Sequence, residues 1–298
     1  MASARRESRW AGAHVWDVPA HLVPIEGARR GVLRITRDAS VAETLHSGMA
    51  REAAIGFTAD IIHLPAIAQA ELPPNLVPGL VRIAWDGGSP DGRIPELLRV
   101  GACLDLAPSD GALDALVECS EGGVMCRLVD LAAWTTAPEA LASSLEHYLT
   151  SPRLEAPIEP WHSIARGIAS RRPRDLSGTY DETLRRNYWL GEDGSVSLSE
   201  RHAAGGLVFG RLEDGPEGWQ QSPAWRALEA RRRQPFLRRS TCAFCPHYLW
   251  CGAYAADDAG SPDPAWCGVW IPLFERLQEA ADIAWAEAGE GEPEEYPG

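Results

Sequence analysis

Four of the chain's seven cysteines lie in one short stretch, "TCAFCPHYLWCGAYAADDAGSPDPAWCG". They are Cys242, Cys245, Cys251 and Cys267, separated by two, five and fifteen residues. Two cysteines with two residues between them can face one metal centre, because a tight turn brings their Sγ atoms together. In a reducing cytosol, clustered thiols bind a metal more often than they form disulfides. The stretch therefore predicts a metal centre with these four cysteines as ligands.

The spacing favours an iron–sulfur cluster over zinc. A zinc site is normally completed by a second close pair of Cys or His ligands, whereas Cys251 and Cys267 are each isolated in the sequence. The thiolate corners of a [4Fe-4S] cluster lie further apart than four ligands on one ion, which suits this arrangement. We expect one [4Fe-4S] cluster, with zinc and uncoordinated thiols as the alternatives. His247 is one ligand too many and is expected to be a hydrogen-bond donor near the site or a surface residue.

Other residues around the stretch have two readings each. Five arginines precede the first cysteine: Arg231, Arg232, Arg233, Arg238 and Arg239. They form either a solvated helix face or a group that stabilises a negatively charged cluster or binds an acidic peptide or partner. Three of the twelve tryptophans, Trp250, Trp266 and Trp270, flank the cysteines and would shield a cluster from water. The upstream Cys103, Cys119 and Cys126 sit in apolar runs and are expected to be buried.

Composition excludes several classes of function. The net charge of −14 over 298 residues argues against nucleic-acid binding. All 28 basic residues are Arg, which excludes Schiff-base lysines and Walker-type phosphate binding. No apolar run reaches the ~20 residues that a membrane span needs, and "MASARRESRWAGAH" lacks the apolar segment of a secretory signal. We expect a cytoplasmic protein without a membrane partner.

The elements that must hold the site follow from periodicity and turn signals. Between residues 52 and 133, strand-like runs such as "LVRIAWDGG" and "LLRVGACLDLAP" alternate with helix-like segments, which predicts an α/β fold with a parallel sheet. "PEALASSLEHYLT" predicts an amphipathic helix, and "YWLGEDGSVSLS" predicts a hairpin around Asp-Gly. "SPAWRALEARRRQPFLRRS" predicts a helix capped by Ser222, with Pro223 at its first position. We expect domains at 1–178 and 179–285, and a disordered acidic tail at 286–298.

The stretch from Tyr188 to Cys267 resembles the C-terminal SPASM domain of radical-SAM peptide-modifying enzymes. The matching pieces are the hairpin, "LVFGRLED", "SPAWRAL" and the C-x2-C-x5-C run with its later lone cysteine. The resemblance implies that the four clustered cysteines correspond to the ligands of that family's second auxiliary cluster. Ser199 and Ala255 stand where two ligands of the first auxiliary cluster would fall, so that cluster is expected to be missing.

The front half is similar to a radical-SAM partial barrel around "VRIAWDGGSPDGR" and "LLRVGACLDLAP". It lacks the C-x3-C-x2-C triad of those enzymes, since its cysteines are sixteen and seven residues apart. The resemblance implies a degenerate partial (β/α) barrel followed by a small SPASM-like iron–sulfur domain.

These observations together predict an accessory iron–sulfur protein that does not cleave S-adenosylmethionine. It would bind a precursor peptide or a radical-SAM partner enzyme in RiPP-type peptide modification, and could relay electrons to it. No catalytic residue is predicted, because the eight His residues are scattered and the sequence has no nucleophile elbow or phosphate loop. The alternatives are a stand-alone enzyme with a structural cluster and a structural zinc protein. A nuclease with a C-terminal C-x2-C-x5-C run is disfavoured by the missing lysine and the acidic charge.

Overall fold

The computed structural model describes residues 15–19, 30–34, 58–64, 80–85, 87, 90–99, 101–180, 184, 187–237, 240–255 and 262–287. Its centre is a ten-stranded sheet with the order β10-β9-β8-β1-β2-β3-β4-β5-β6-β7. The strands are β1 (Val15–Pro19), β2 (Arg30–Arg34), β3 (Thr58–Leu64), β4 (Leu80–Ala84), β5 (Ala102–Leu106), β6 (Met125–Leu128), β7 (Ile158–Glu159), β8 (Asn187–Leu190), β9 (Ser195–Ser197) and β10 (Val208–Arg211).

Strands β1 to β7 are parallel and lie side by side in chain order. Parallel crossovers are nearly always right-handed, so connections between successive neighbours pass over the same face of the sheet. Strand β8 adds to the other side of β1 in parallel, and β9 and β10 follow in antiparallel order. The predicted mixed α/β fold with a parallel sheet is confirmed.

The helices are α1 (Ile94–Arg99), α2 (Ala112–Glu121), α3 (Leu131–Trp134), α4 (Pro138–Thr150), α5 (Trp161–Ala169), α6 (Leu176–Thr179), α7 (Glu200–Ala204), α8 (Gly215–Gln221), α9 (Pro223–Leu237), α10 (Tyr248–Cys251) and α11 (Pro264–Glu287). Short 3₁₀ turns cover Asp91–Arg93, Leu212–Asp214 and Thr241–Phe244. Among the described residues, no helix has both the length and the apolar character required to cross a bilayer.

Strand β5 lies in the most deeply buried part of the described sheet, with all five residues buried. Leu104 and Leu106 belong to the apolar core. Because side chains alternate along a strand, Cys103 and Asp105 point to the opposite face. The helix side of the sheet therefore holds the core, and the other side carries polar groups.

The predicted helix at "PEALASSLEHYLT" is confirmed as α4, whose Leu141 and Leu145 are buried. The Asp-Gly hairpin is confirmed as β8 and β9. The predicted cap is confirmed as well, since Ser222 Oγ accepts a hydrogen bond from the Trp225 backbone N–H at 3.1 Å, at the start of α9.

The sheet continues across the predicted domain boundary at residue 178. Asp17 of β1 lies opposite Trp189 of β8, so residues from both sides of the boundary share one ladder. The two-domain division stays a prediction. The predicted disordered tail, 286–298, falls almost wholly outside the described residues, which end at residue 287.

Candidate metal centre

The four clustered cysteines come from three successive segments of the C-terminal region. Cys242 lies in the 3₁₀ turn, and Cys245 follows that turn directly. Cys251 is the last residue of α10, and Cys267 lies in the first turn of α11. All four line one cavity of about 30 Å³, and each is half-buried.

Local hydrogen bonds explain why the first three cysteines approach one another. The backbone N–H of Cys245 donates to the Cys242 carbonyl at 3.2 Å, which closes the two-residue turn. The backbone N–H of Cys251 donates to the His247 carbonyl at 2.9 Å, at the end of α10. Within the part of the chain that the structure describes, no three His, Cys, Asp or Glu side chains are close enough to share a single metal ion. The four thiols border a common space.

The backbone reverses its direction directly after Cys251. Gly252 has φ +63°, a left-handed conformation that glycine adopts without strain. A Cβ at this position would lie 2.7 Å from a carboxylate oxygen of Asp175. Asp175 caps helix α6 by accepting a hydrogen bond from the Gly178 backbone N–H at 2.7 Å. The cysteine segment is therefore packed tightly against α6.

Aromatic rings of α11 form one wall of the cavity. Trp266, Trp270 and Phe274 recur every four residues, so they lie along one helix face. The Trp266 and Trp270 rings stack with centroids 4.8 Å apart, and Trp270 also contacts Trp161 of α5 at 5.4 Å. The predicted shielding role fits Trp266 and Trp270. Trp250 instead packs beside Gly167 of α5.

The indole donors in this wall have no oxygen or nitrogen acceptor. The Nε1 atoms of Trp266 and Trp270 are buried, and the Trp266 N–H contacts the Cys251 sulfur. By contrast, the buried Trp161 donates its Nε1–H to Ser144 Oγ at 3.0 Å. Leaving a buried donor unsatisfied costs about 1–3 kcal/mol. Among the described residues, no acceptor offsets that cost for Trp270.

Burial keeps two of the four thiols in their neutral form. It raises the pKa of Cys251, although the backbone N–H of Tyr254 and the Trp266 indole N–H oppose the rise. Burial also raises the pKa of Cys267, and the charges of Cys245 and Asp263 add to this effect. A metal would have to displace the protons of both thiols in order to bind.

His247 lies between the cavity and the surface. Its side chain is 14% exposed, its Nε2 lies 3.7 Å from Glu275 Oε1, and its ring stacks on Phe274 at 6.0 Å. It lines the cysteine cavity and also an open groove of about 550 Å³ along α11. The groove is lined by His247, Glu275, Gln278, Glu279, Asp282, Ile283 and Ala286. We call it the α11 groove. Its three carboxylates make it acidic.

The sequence reasoning missed the α11 groove and an exposed apolar surface next to the cysteines. Phe244 and Leu249, which lie between successive cysteines, are 74% and 54% exposed, and Phe236 at the end of α9 is 54% exposed. Ile283 in the groove is also exposed. The four- and three-residue spacing of Glu275, Glu279 and Asp282 on α11 and the large apolar residues inside the cysteine stretch could have indicated these surfaces.

The side chains of the predicted arginine surface are not among those that the structure describes. Arg231, Arg232 and Arg233 belong to α9, but their side chains lie outside the described residues, as do Arg238 and Arg239 entirely. Their role in binding an acidic peptide stays a prediction.

The three upstream cysteines are buried, as expected, and none of them lines the cysteine cavity. Burial and the Asp105 charge raise the pKa of Cys103 to about 12. Ser199 caps helix α7, and its Oγ lies 2.8 Å from His202 Nδ1. Ala255 packs against the core beside Tyr254. Whether a first auxiliary cluster is missing at Ser199 and Ala255 stays a prediction.

No protein-family model, curated protein or solved structure matches this chain. The likeness to SPASM-domain enzymes rests on the motifs between Tyr188 and Cys267.

Proposed function

We propose that this chain is an accessory iron–sulfur protein that holds one [4Fe-4S] cluster and binds a partner. The ligands are Cys242, Cys245, Cys251 and Cys267. The partner is a precursor peptide or a radical-SAM enzyme that modifies it. The observation that carries the proposal is the convergence of all four cysteines on one cavity.

The donor set fits the cluster. Thiolates are soft ligands that select iron–sulfur clusters, zinc or Cu(I). The isolated positions of Cys251 and Cys267 in the sequence, without a second close pair of ligands, favour the larger cluster over zinc. When bound, the cluster would supply one-electron redox chemistry.

The order of the secondary-structure elements supports the proposed relation to SPASM-domain enzymes. Parallel strands β1 to β7 lie in chain order, which is the order that a partial (β/α) barrel would have. A hairpin, a short strand, a helix and the cysteine stretch then follow in the order of a SPASM domain. A degenerate barrel with a SPASM-like domain is the architecture that we propose on this basis.

A non-cleaving role follows from the upstream cysteines. A radical-SAM cluster needs three closely spaced cysteines, and this chain's upstream thiols are sixteen and seven residues apart. The structure buries Cys103, Cys119 and Cys126 in or against the sheet. We therefore expect no cleavage of S-adenosylmethionine by the protein alone.

The surface next to the cavity suits a protein or peptide partner. Exposed Phe244 and Leu249 provide apolar contact area, and His247 lines both the cysteine cavity and the acidic α11 groove. Interfaces commonly combine an apolar centre with a polar rim, and complementary charge increases the rate and specificity of association. This face fits a partner with basic residues around an apolar centre.

The test is metal analysis of the anaerobically purified protein and its cysteine variants. About four iron and four sulfide per chain are expected. Cys251→Ala and Cys267→Ala should lose the cluster, while Cys103→Ala, which alters a buried thiol away from the cavity, should keep it. Stoichiometric zinc without sulfide would favour the structural zinc alternative. Formation of 5′-deoxyadenosine by the reduced protein would favour an enzyme.

A further inference from the structure

The last turns of helix α11 extend past the core and still carry apolar side chains. Among the described side chains of this helix, Leu277 is the last that is buried, yet the helix continues ten residues further, to Glu287. In this part Ile283 is 50% exposed, and Ala284 and Ala286 are exposed as well. Single exposed apolar residues are common on protein surfaces, so the meaning of Ile283 depends on what surrounds it.

Ile283 lies in the α11 groove among carboxylates. Glu275, Glu279 and Asp282 line the groove at steps of four and three residues, which places them along one face of the helix. The side chains of Glu275 and Glu279 are 63% and 66% exposed. From Glu275 to Ala286 this face covers roughly 16 Å of helix axis. The groove thus combines an apolar position with a row of exposed carboxylates over three turns.

The charge of this face selects a basic occupant. Arg276 is the single basic residue of α11, and its guanidinium is shared between Glu146 of α4 at 2.8 Å and Glu279 at 3.3 Å. The face therefore keeps an excess of carboxylates. A second copy of this chain does not suit it, because a two-fold contact would place the same carboxylates against one another.

The shape of the face matches another helix. Amphipathic helices that bind in grooves use apolar anchors at steps of three and four residues, and the residues of the α11 groove recur at the same steps. The small side chain of Ala286 allows a second helix to approach the backbone of α11, as ridges of one helix pack into grooves of the next.

We infer that the α11 groove binds an amphipathic helix of a partner protein, whose apolar seam packs on Ile283 and Ala286. Arginine or lysine side chains beside that seam pair with the three carboxylates of the groove. This inference rests on the partner-binding part of the proposed function and does not depend on the metal. Complementary charge around an apolar contact increases the rate and the specificity of association.

The probe is a fluorescein-labelled synthetic peptide whose leucines recur at steps of three and four residues and are flanked by arginines. One control peptide has glutamate in place of arginine. A second control peptide keeps the arginines and leucines but has two central prolines, which prevent a continuous helix. Binding to the full-length protein is measured by fluorescence anisotropy at several salt concentrations.

Two pairs of variants separate the groove from the rest of the surface. The groove variant combines Glu275→Gln, Glu279→Gln and Asp282→Asn. The charge control removes as many exposed carboxylates from α2 and α4, with Asp114→Asn, Glu118→Gln and Glu139→Gln. Ile283→Gln is compared with Leu98→Gln on α1, because these two apolar side chains are 50% and 48% exposed.

The groove variant and Ile283→Gln should each bind the arginine peptide about tenfold more weakly than the wild type. The groove variant should also show a smaller dependence of binding on salt. The charge control and Leu98→Gln should stay within about twofold of the wild type, and both control peptides should bind at least about tenfold more weakly than the arginine peptide.

Three results of the binding assay would overturn the inference: no binding of the arginine peptide by the wild type, an equal loss in the control variants, or equal binding of the proline peptide. A dimer in sedimentation that Ile283→Gln dissociates would assign the face to a second copy and overturn it as well. Iron and sulfide are measured in the same preparations. Groove-dependent binding without iron would support the inference and contradict the proposed cluster, whereas a loaded protein that does not bind the peptide would do the reverse.

Discussion

Replacing Asp105 with Asn should destabilise the protein strongly, because it leaves the guanidinium of Arg127 buried beside a neutral group. The two residues lie opposite each other on β5 and β6. Arg127 Nε and Nη2 each donate to a different carboxylate oxygen of Asp105 at 2.8 Å. The side chains are 4% and 13% exposed, so water cannot replace the lost charge.

The pair is strongly coupled. Burial alone would lower the pKa of Arg127, but the Asp105 carboxylate more than offsets this and holds the pKa above its ordinary value. Because an arginine side chain keeps its proton in proteins, Asp105→Asn leaves a buried charge with no carboxylate to offset the cost of its burial. Removing one partner of a buried ion pair costs about 3–5 kcal/mol. That is a large part of the roughly 5–15 kcal/mol by which folded domains are stable.

Urea unfolding followed by tryptophan fluorescence measures the loss. With a slope near 3 kcal/mol per molar urea, Asp105→Asn should lower the midpoint by about 1–2 M. The matched control is the double variant Asp105→Leu with Arg127→Met, which removes both charges and should lie within about 1 kcal/mol of the wild type or above it. A midpoint change below 0.3 M (about 1 kcal/mol) in Asp105→Asn, or a double variant as unstable as the single one, would refute the reasoning.

Three further predictions concern helix packing and the cysteine segment. Burial lowers the pKa of His147 below its ordinary value of 6.5, so the folded state resists protonation of this side chain. The stability of the protein should therefore fall as the pH drops below 6.5. The His147→Gln variant should lose less stability than the wild type between about pH 7 and pH 5. Gly252→Ala should reduce iron content and melting temperature. The added Cβ would collide with the Asp175 carboxylate, and position 252 has a positive φ that alanine rarely adopts. Tyr180→Phe should cost about 0.5–1.5 kcal/mol in urea unfolding with unchanged iron content, since only the hydrogen bond from its hydroxyl to the Leu128 carbonyl is lost.

Sequence patterns predicted the elements whose signals are local. The alternation of apolar runs predicted β4, β5 and β6, and helical periodicity predicted α4, because burial on one face produces a repeating pattern among consecutive residues. The pairing of β8 with β1 could not be predicted, since the two strands are far apart in the chain and no local pattern specifies a distant partner. The Asp105–Arg127 pair depends on the register of β5 and β6 for the same reason.

The candidate site shows the same division. The spacing of the cysteines indicated that they converge, and the structure brings all four to one cavity. The four-residue recurrence of Trp266, Trp270 and Phe274 could have indicated a shared helix face. Nothing in the sequence shows that the Trp270 indole N–H lacks an acceptor while that of Trp161 has one, because this depends on which side chains of α4 and α5 meet α11.

Contacts connect the polar side of the sheet with the cysteine cavity. Arg127 lies 5.6 Å from the centre of the Tyr180 ring, Tyr180 contacts Tyr254 at 6.4 Å, and Tyr254 stacks on Trp266 at 5.5 Å. Helix α11 also packs on α4 and α5, which cover the sheet. The cysteines are thus held by elements that the sheet already positions. Since less ordering is left to occur when a group binds to a preformed site, the cavity should retain its shape without metal better than small metal-dependent domains do, which are unfolded in the apo state.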